Sequence, residues 1–201
     1  MKNSFFVYTT LLLTALSSPF PVASVNPGAI VTINIQPFND LSAGETNYVF
    51  REIKKIYPYI NVNKAIALPK SAFYRARNRY RADSLINFLG SNTPDGHITI
   101  GLTSKDISTT KGAIADWGVM GLGFCPGKAC IASTFRLAKD QKSAQLFKVA
   151  IHELGHTQGL PHCPVKSCFM RDAEGKNSTN EEREFCESCK LFLVSKGWQF
   201  K

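Results

Sequence analysis

Residues 152–162 read His152-Glu153-Leu154-Gly155-His156-Thr157-Gln158-Gly159-Leu160-Pro161-His162, and the fold around them has to bring the three histidines together. On a helix, residues four apart share a face, so His152 and His156 can present imidazole nitrogens to one zinc ion at about 2.0–2.1 Å. Glu153 then projects beside them, toward a water on the ion. Gly159 accepts the positive φ of a sharp helix stop, and Pro161 keeps the helix from resuming. The chain can therefore return His162 to the same ion. Three neutral ligands leave one coordination position open, as in a catalytic rather than a closed structural zinc site. The chemistry this predicts is amide hydrolysis without a covalent intermediate, the zinc acidifying water and polarising a carbonyl while Glu153 serves as general base. A bare H-E-x-x-H is a weak signal, but the extension to Gly159 and His162 is far more specific. The chain has four histidines and three fall in this pattern; the fourth, His97, reads as structural.

Directly downstream stand Cys163, Cys168 and Met170, then Cys186 and Cys189. Cys186 and Cys189 are three apart on a predicted final helix from about residue 181 to 196, so their sulfurs face one way. Brought against Cys163 and Cys168, they would make a tetrahedral four-cysteine zinc site with Zn–S near about 2.3 Å. Disulfides cross-pairing the two halves are the competing reading for an exported chain. Cys125 and Cys130 flank a Pro-Gly turn between apolar segments 117–124 and 129–135, which read as a strand pair. There a hairpin disulfide is expected, with free thiols as the alternative.

Upstream, residues 141–154 read as a mostly buried helix. Residues 31–35 alternate as a half-buried strand ended by Pro37. Ser42 and Glu45 form a capping box ahead of Val49, Ile53 and Ile56 at helical spacing, and Pro58 stops that helix. A strand over 60–68 completes a βαβ unit with a right-handed parallel crossover, and 97–102 is a third strand. Arg75, Arg77, Arg79 and Arg81, interleaved with Tyr74 and Tyr80, read as the solvated lead-in to a helix over 82–89 rather than as a nucleic-acid patch.

Lys2 followed by an apolar run from Phe5 to Leu16 reads as a secretory signal peptide over residues 1–24, with an uncleaved membrane anchor as the alternative. Residues 25–201 form one domain, with an N-terminal part over 25–159 and a C-terminal part over 160–201. The formal net charge is +9, which favours acidic partners or surfaces but reports on association rather than fold.

Taken together, His152 through Cys189 resemble the archaemetzincin family of metzincin metallopeptidases: an extended zinc-binding helix, then Cys, four residues, Cys, one residue, Met, and a later C-x-x-C. A weaker likeness covers residues 98–137, including Ile100, Gly101, Thr103, Asp106 and Arg136. The resemblance implies that Met170 is the Met-turn methionine beneath the catalytic zinc and that Cys163, Cys168, Cys186 and Cys189 hold a second, structural zinc. It also implies that the strand near 117–124 is a sheet edge where an extended peptide adds as an antiparallel strand. The expectation is an α/β metzincin-like fold: a mixed twisted sheet with an antiparallel edge strand, the zinc-site helix, and a small cysteine-rich C-terminal part. The protein would be a secreted or periplasmic zinc peptidase with two zinc ions, acting as a monomer on peptide or protein substrates, with no nucleic-acid partner and no membrane insertion after signal cleavage. The rival is a catalytically idle zinc-binding module that recognises peptides, for which a general base such as Glu153 would be superfluous.

Overall fold

A computed structural model describes residues 30–172 and 175–201; the signal segment over 1–24 lies outside them. The elements run β1 (Thr32–Pro37), α1 (Ala43–Ile56), β2 (Ile60–Val62), β3 (Phe73–Tyr74), β4 (Arg79–Arg81), α2 (Ala82–Ser91), β5 (His97–Thr103), β6 (Ile107–Lys111), β7 (Ile114–Val119), β8 (Gly121–Gly123), β9 (Ala129–Ser133), α3 (Lys142–Thr157) and α4 (Glu187–Ser195).

The main sheet has the order β2-β1-β5-β9-β8. Its first four strands are parallel, and β8 runs antiparallel to β9 at the edge. Alternation along β5 sends Ile98, Ile100 and Leu102 into one core, where they meet Val49 and Ile53 of α1 and Leu146, Ala150 and Leu154 of α3. The other face packs on α2 through Leu85, Leu89 and Ile131. Gly101 lies on that second face, where a β-carbon would come within 2.6 Å of Leu89 and 2.7 Å of Ile131. The result is a three-layer sandwich with helices on both faces of a largely parallel sheet. The capping box at α1 is present, Ser42 and Glu45 satisfying each other's backbone N–H groups.

A second sheet, β3-β4-β6-β7, stands beside the first. Residues 117–124, read as one strand, are divided between the two sheets. Gly118 and Val119 pair with Ser108 and Ile107, whereas Gly121 to Gly123 pair with Ala132 to Cys130. The chain crosses at Met120, whose carbonyl accepts from Ser133 N at 2.8 Å. Two further expectations are corrected by long-range pairing. Strand β2 stops at Val62, and beyond it only Ile66 bridges to Phe38. The last helix begins at Glu187 rather than near 181, because Arg183 N donates to Ser167 O at 2.8 Å and Phe169 N to Glu184 O at 2.9 Å, and these bonds require extended backbone.

Of the arginines of 75–81, Arg75 and Arg77 are exposed as expected, whereas Arg79 and Arg81 are not solvated. Arg79 and Arg81 lie in β4, and Arg77, Arg79 and Arg81 all face Asp116, at 3.7, 3.6 and 3.9 Å. Among the described residues no helix is long and apolar enough to cross a membrane.

Candidate metal centres and cleft

Helix α3 enters the core on Leu146, Val149, Ala150, Ile151 and Leu154 and brings His152 and His156 to its exposed end. Gly159 has φ 93, its N–H donates to His156 O at 2.8 Å, and Leu160 N donates to Gly155 O at 3.1 Å. This left-handed stop returns the chain toward the helix, and the ligand nitrogens of His152, His156 and His162 all lie within 4.8 Å of one another.

An oxygen faces the Nδ1 of each ring. His152 Nδ1 lies 2.6 Å from Phe169 O, His156 Nδ1 2.7 Å from Leu160 O, and His162 Nδ1 3.3 Å from Asp172 Oδ2. A carbonyl only accepts, so His152 and His156 carry their protons on Nδ1 and present bare Nε2 lone pairs. Those two Nε2 atoms stand 3.0 Å apart. Two lone pairs at that distance repel unless a cation sits between them, and neutral imidazole is the donor zinc takes. Burial, with His156 close by, lowers the His152 pKa to about 3, and burial also lowers that of His156, so both rings stay neutral at ordinary pH.

Glu153 lies beside the histidines, with its carboxylate against β8. A β-carbon on residue 121 would stand 2.6 Å from its Oε1, and one on residue 123 would stand 2.8 Å from its backbone carbonyl. Two glycines in the edge strand thus make room for the carboxylate. Burial raises the Glu153 pKa to about 8, opposed by the N–H of Gly123.

Met170 is fully buried on the other side of α3, and its carbonyl accepts from Cys163 N at 2.7 Å. The four sulfurs of Cys163, Cys168, Cys186 and Cys189 also lie within 4.8 Å of one another, with Cys163–Cys186 at 3.6 Å and Cys168–Cys189 at 3.8 Å. Those separations match the edge of a tetrahedron of sulfurs around zinc, about 3.8 Å for Zn–S near 2.3 Å, and are far beyond a disulfide bond of about 2.05 Å. Burial raises the Cys168 pKa, and the backbone N–H groups of Met170 and Cys186, donating to Cys168 Sγ at 3.4 and 3.3 Å, partly oppose this.

The hairpin disulfide is a correction. Cys125 and Cys130 are free thiols, because the residue opposite Cys130 in the β8–β9 ladder is Gly123, not Cys125. Cys130 is fully buried in the core, whereas Cys125 is exposed and donates to Leu160 O at 3.5 Å. His97 accepts from Asn34 Nδ2 at 3.0 Å, in keeping with a structural part.

A cleft of about 600 Å³ opens over the histidines and Glu153, walled by β7 and β8 on one side and by residues 171–172 and 175–182 on the other. Sequence reasoning did not find Asp172, Gly121 or Gly123 as part of it. Asp172 carries the one readable signal, since it stands two residues after Met170.

A three-histidine centre on a helix end, a buried carboxylate beside it and an antiparallel edge strand along the cleft define a metzincin-type zinc peptidase. Residues 53–183 match the matrixin family of peptidases. The chain is 28% identical over 175 residues to the archaemetzincin of Haloquadratum walsbyi, spanning 80% of this chain and 98% of that protein. It is 31% identical over 134 residues to the archaemetzincin of Methanopyrus kandleri, spanning 65% of this chain and 74% of that one. The crystal structure of the archaemetzincin from Archaeoglobus fulgidus, complexed with malonate, superposes with a TM-score of 0.69 at 26% identity, covering 81% of this chain and 99% of that one. The chain belongs to the archaemetzincin family and is a zinc metallopeptidase.

Proposed function

We propose that the protein hydrolyses peptide bonds with Glu153 as general base, that His152, His156 and His162 hold the catalytic zinc, and that Cys163, Cys168, Cys186 and Cys189 hold a second, structural zinc. The observation that carries this reading is the convergence of two Nδ1-protonated imidazoles, Nε2 to Nε2 at 3.0 Å, with Glu153 one residue along.

When bound, the catalytic ion supplies Lewis acidity, making water a better proton donor and a carbonyl a better electrophile. The rest is done by the chain. Glu153, seated against Gly121 and Gly123, takes the proton of the attacking water and passes it to the leaving amine. Phe169 O and Leu160 O keep two ligand rings in the required tautomer, and Asp172 aligns the third. Strand β8, antiparallel at the sheet edge, has an outer backbone edge on which an extended peptide can pair. The cysteine cluster brackets Met170 through Cys168 and Cys163, so a structural ion there would brace the floor under the histidines.

Export follows from the apolar leader over 1–24: the mature chain would act as a monomer outside the cytoplasm, or tethered there if the leader is retained. Metal quantification with peptide hydrolysis on the wild type and Glu153→Ala tests the core of this. Both proteins should hold the same zinc, and the variant should lose turnover by about 10²–10⁴-fold. Zinc binding without wild-type turnover would favour the rival, a zinc-binding module that only recognises peptides, and equal turnover in both proteins would remove Glu153 as the base.

A further inference from the structure

The cleft is lined by cations that the hydrolysis chemistry leaves without a task. On the β7 wall, Arg136 lies across residue 118, where even a β-carbon would overlap its guanidinium. Asp106, itself buried, holds Arg136 Nη2 from behind at 2.8 and 3.0 Å. The same carboxylate also takes Arg79 Nε at 3.1 Å. One carboxylate shared between two guanidiniums cannot neutralise both. The neighbouring pairs do not make up the difference, because Asp116 and Asp83 are already engaged with Arg77, Arg79 and Arg81. The cluster thus sets four arginines against three aspartates, and Arg136 is the member that lines the cleft.

Both contacts of Arg136 to Asp106 run through Nη2, and among the described residues no other acceptor is hydrogen-bonded to its remaining donors. Lys111 stands on the same wall, its Nζ 5.1 Å from the centroid of Trp117. Lys148 and Arg171 line the opposite wall. Those two are engaged within the protein, Arg171 with Glu181 at 2.8 Å and Lys148 Nζ with Thr179 O at 2.5 Å, so the cleft cations with donors left for a ligand are Arg136 and Lys111 on the β7 wall.

We propose that Arg136, with Lys111 beside it, forms a subsite for a substrate carboxylate, so that the enzyme selects peptides carrying an acidic group near the scissile bond. This rests on the peptidase reading and extends it to a substrate class. An arginine already immobilised by Asp106 and by the backbone at Gly118 loses little further freedom on binding, and its planar fork suits a carboxylate. The carboxylate is either an Asp or Glu side chain or the free C-terminus, which present the same chemistry.

Matched fluorogenic peptides with Glu against Gln at each position near the cleaved bond, and with C-terminal acid against amide, distinguish these sources on the zinc-loaded protein. The acidic member of at least one pair should show kcat/KM higher on the order of tenfold or more at low salt, with the ratio shrinking as salt rises. Arg136→Gln should bring that ratio close to one. Lys111→Gln, at an exposed position, should reduce it by a smaller factor without moving the unfolding midpoint. Discrimination in the internal pairs assigns a side-chain carboxylate, and discrimination in the terminal pair assigns the C-terminus; either supports the subsite. Ratios near one in the wild type, or a ratio unchanged in both variants, overturn it. Binding of the same peptides to zinc-loaded Glu153→Ala, read by fluorescence anisotropy, separates the two levels. Acid-selective binding without wild-type turnover keeps the subsite and removes the peptidase, whereas turnover without selectivity does the reverse.

Discussion

Met170 Sδ occupies the space that a side chain on residue 155 would need: a β-carbon on Gly155 would overlap the sulfur. Gly155 lies between the ligands His152 and His156, so the absence of a side chain there lets the buried methionine close up under the ligand turn of α3. Gly155→Ala should therefore destabilise the protein by about 1–2 kcal/mol, because overpacking costs roughly 1–3 kcal/mol and the better helix propensity of alanine returns only about 1 kcal/mol. Denaturant unfolding checks this. An unchanged midpoint would mean that Met170 has room to repack.

Gly121 makes the corresponding allowance for Glu153 on the opposite side of the helix end. With a β-carbon 2.6 Å from Oε1 and 2.7 Å from Val149 Cγ1, Gly121→Ala must displace the carboxylate. We expect kcat/KM to fall on the order of tenfold to a hundredfold, since misplacement of a reacting group by about 1 Å has effects of that size. Zinc content should be unchanged, and joint loss of metal and activity would place the defect at the histidines instead.

The cysteine cluster predicts a separable metal. Cys186→Ser should remove one zinc equivalent and leave the other, and it should lower the melting temperature by on the order of 10 °C. Inductively coupled plasma analysis beside a thermal melt gives both readings. Full metal content with an unmoved melt would show that the four thiols pack without an ion.

Glu182 links stability to pH. It is almost fully buried, 4% exposed, and burial raises its pKa from 4.5 to about 7 against the opposing pull of Ser178 and Lys148. A carboxyl whose folded pKa lies above its unfolded value stabilises the protein below the unfolded value, and this contribution is lost as pH rises through about 7. The wild type should lose roughly 3 kcal/mol between about pH 4.5 and about pH 8 through this group. Glu182→Gln should flatten that part of the profile, as chemical denaturation across the range would show. An identical slope in the variant would rule Glu182 out as the source.

Local spacing made much of the molecule legible. The βαβ unit around α1 follows from strand alternation and the capping box at Ser42 and Glu45, and the turn after α3 follows from Gly159 and Pro161. The parts that sequence reading misplaced are set by partners distant along the chain. Met120 divides one apolar run between two sheets because Ser108 and Ala132, far apart in sequence, each claim one side of it. Residues 181–185 look helical, yet bonds to Ser167 and Phe169 hold them extended. Arg79 and Arg81 look solvated in the sequence until Asp106 and Asp116 are folded against them.

By itself the sequence determined which donor atoms are available and which can share a helix face, because helical periodicity and a glycine stop act within a few residues. The tertiary structure decided what those atoms are ready to do. The carbonyls of Phe169 and Leu160 select the ring tautomers, Gly121 and Gly123 make space for the carboxylate, and register keeps Cys125 away from Cys130. Each of these depends on the approach of backbone segments that only packing brings together, and residue spacing alone does not encode such distances.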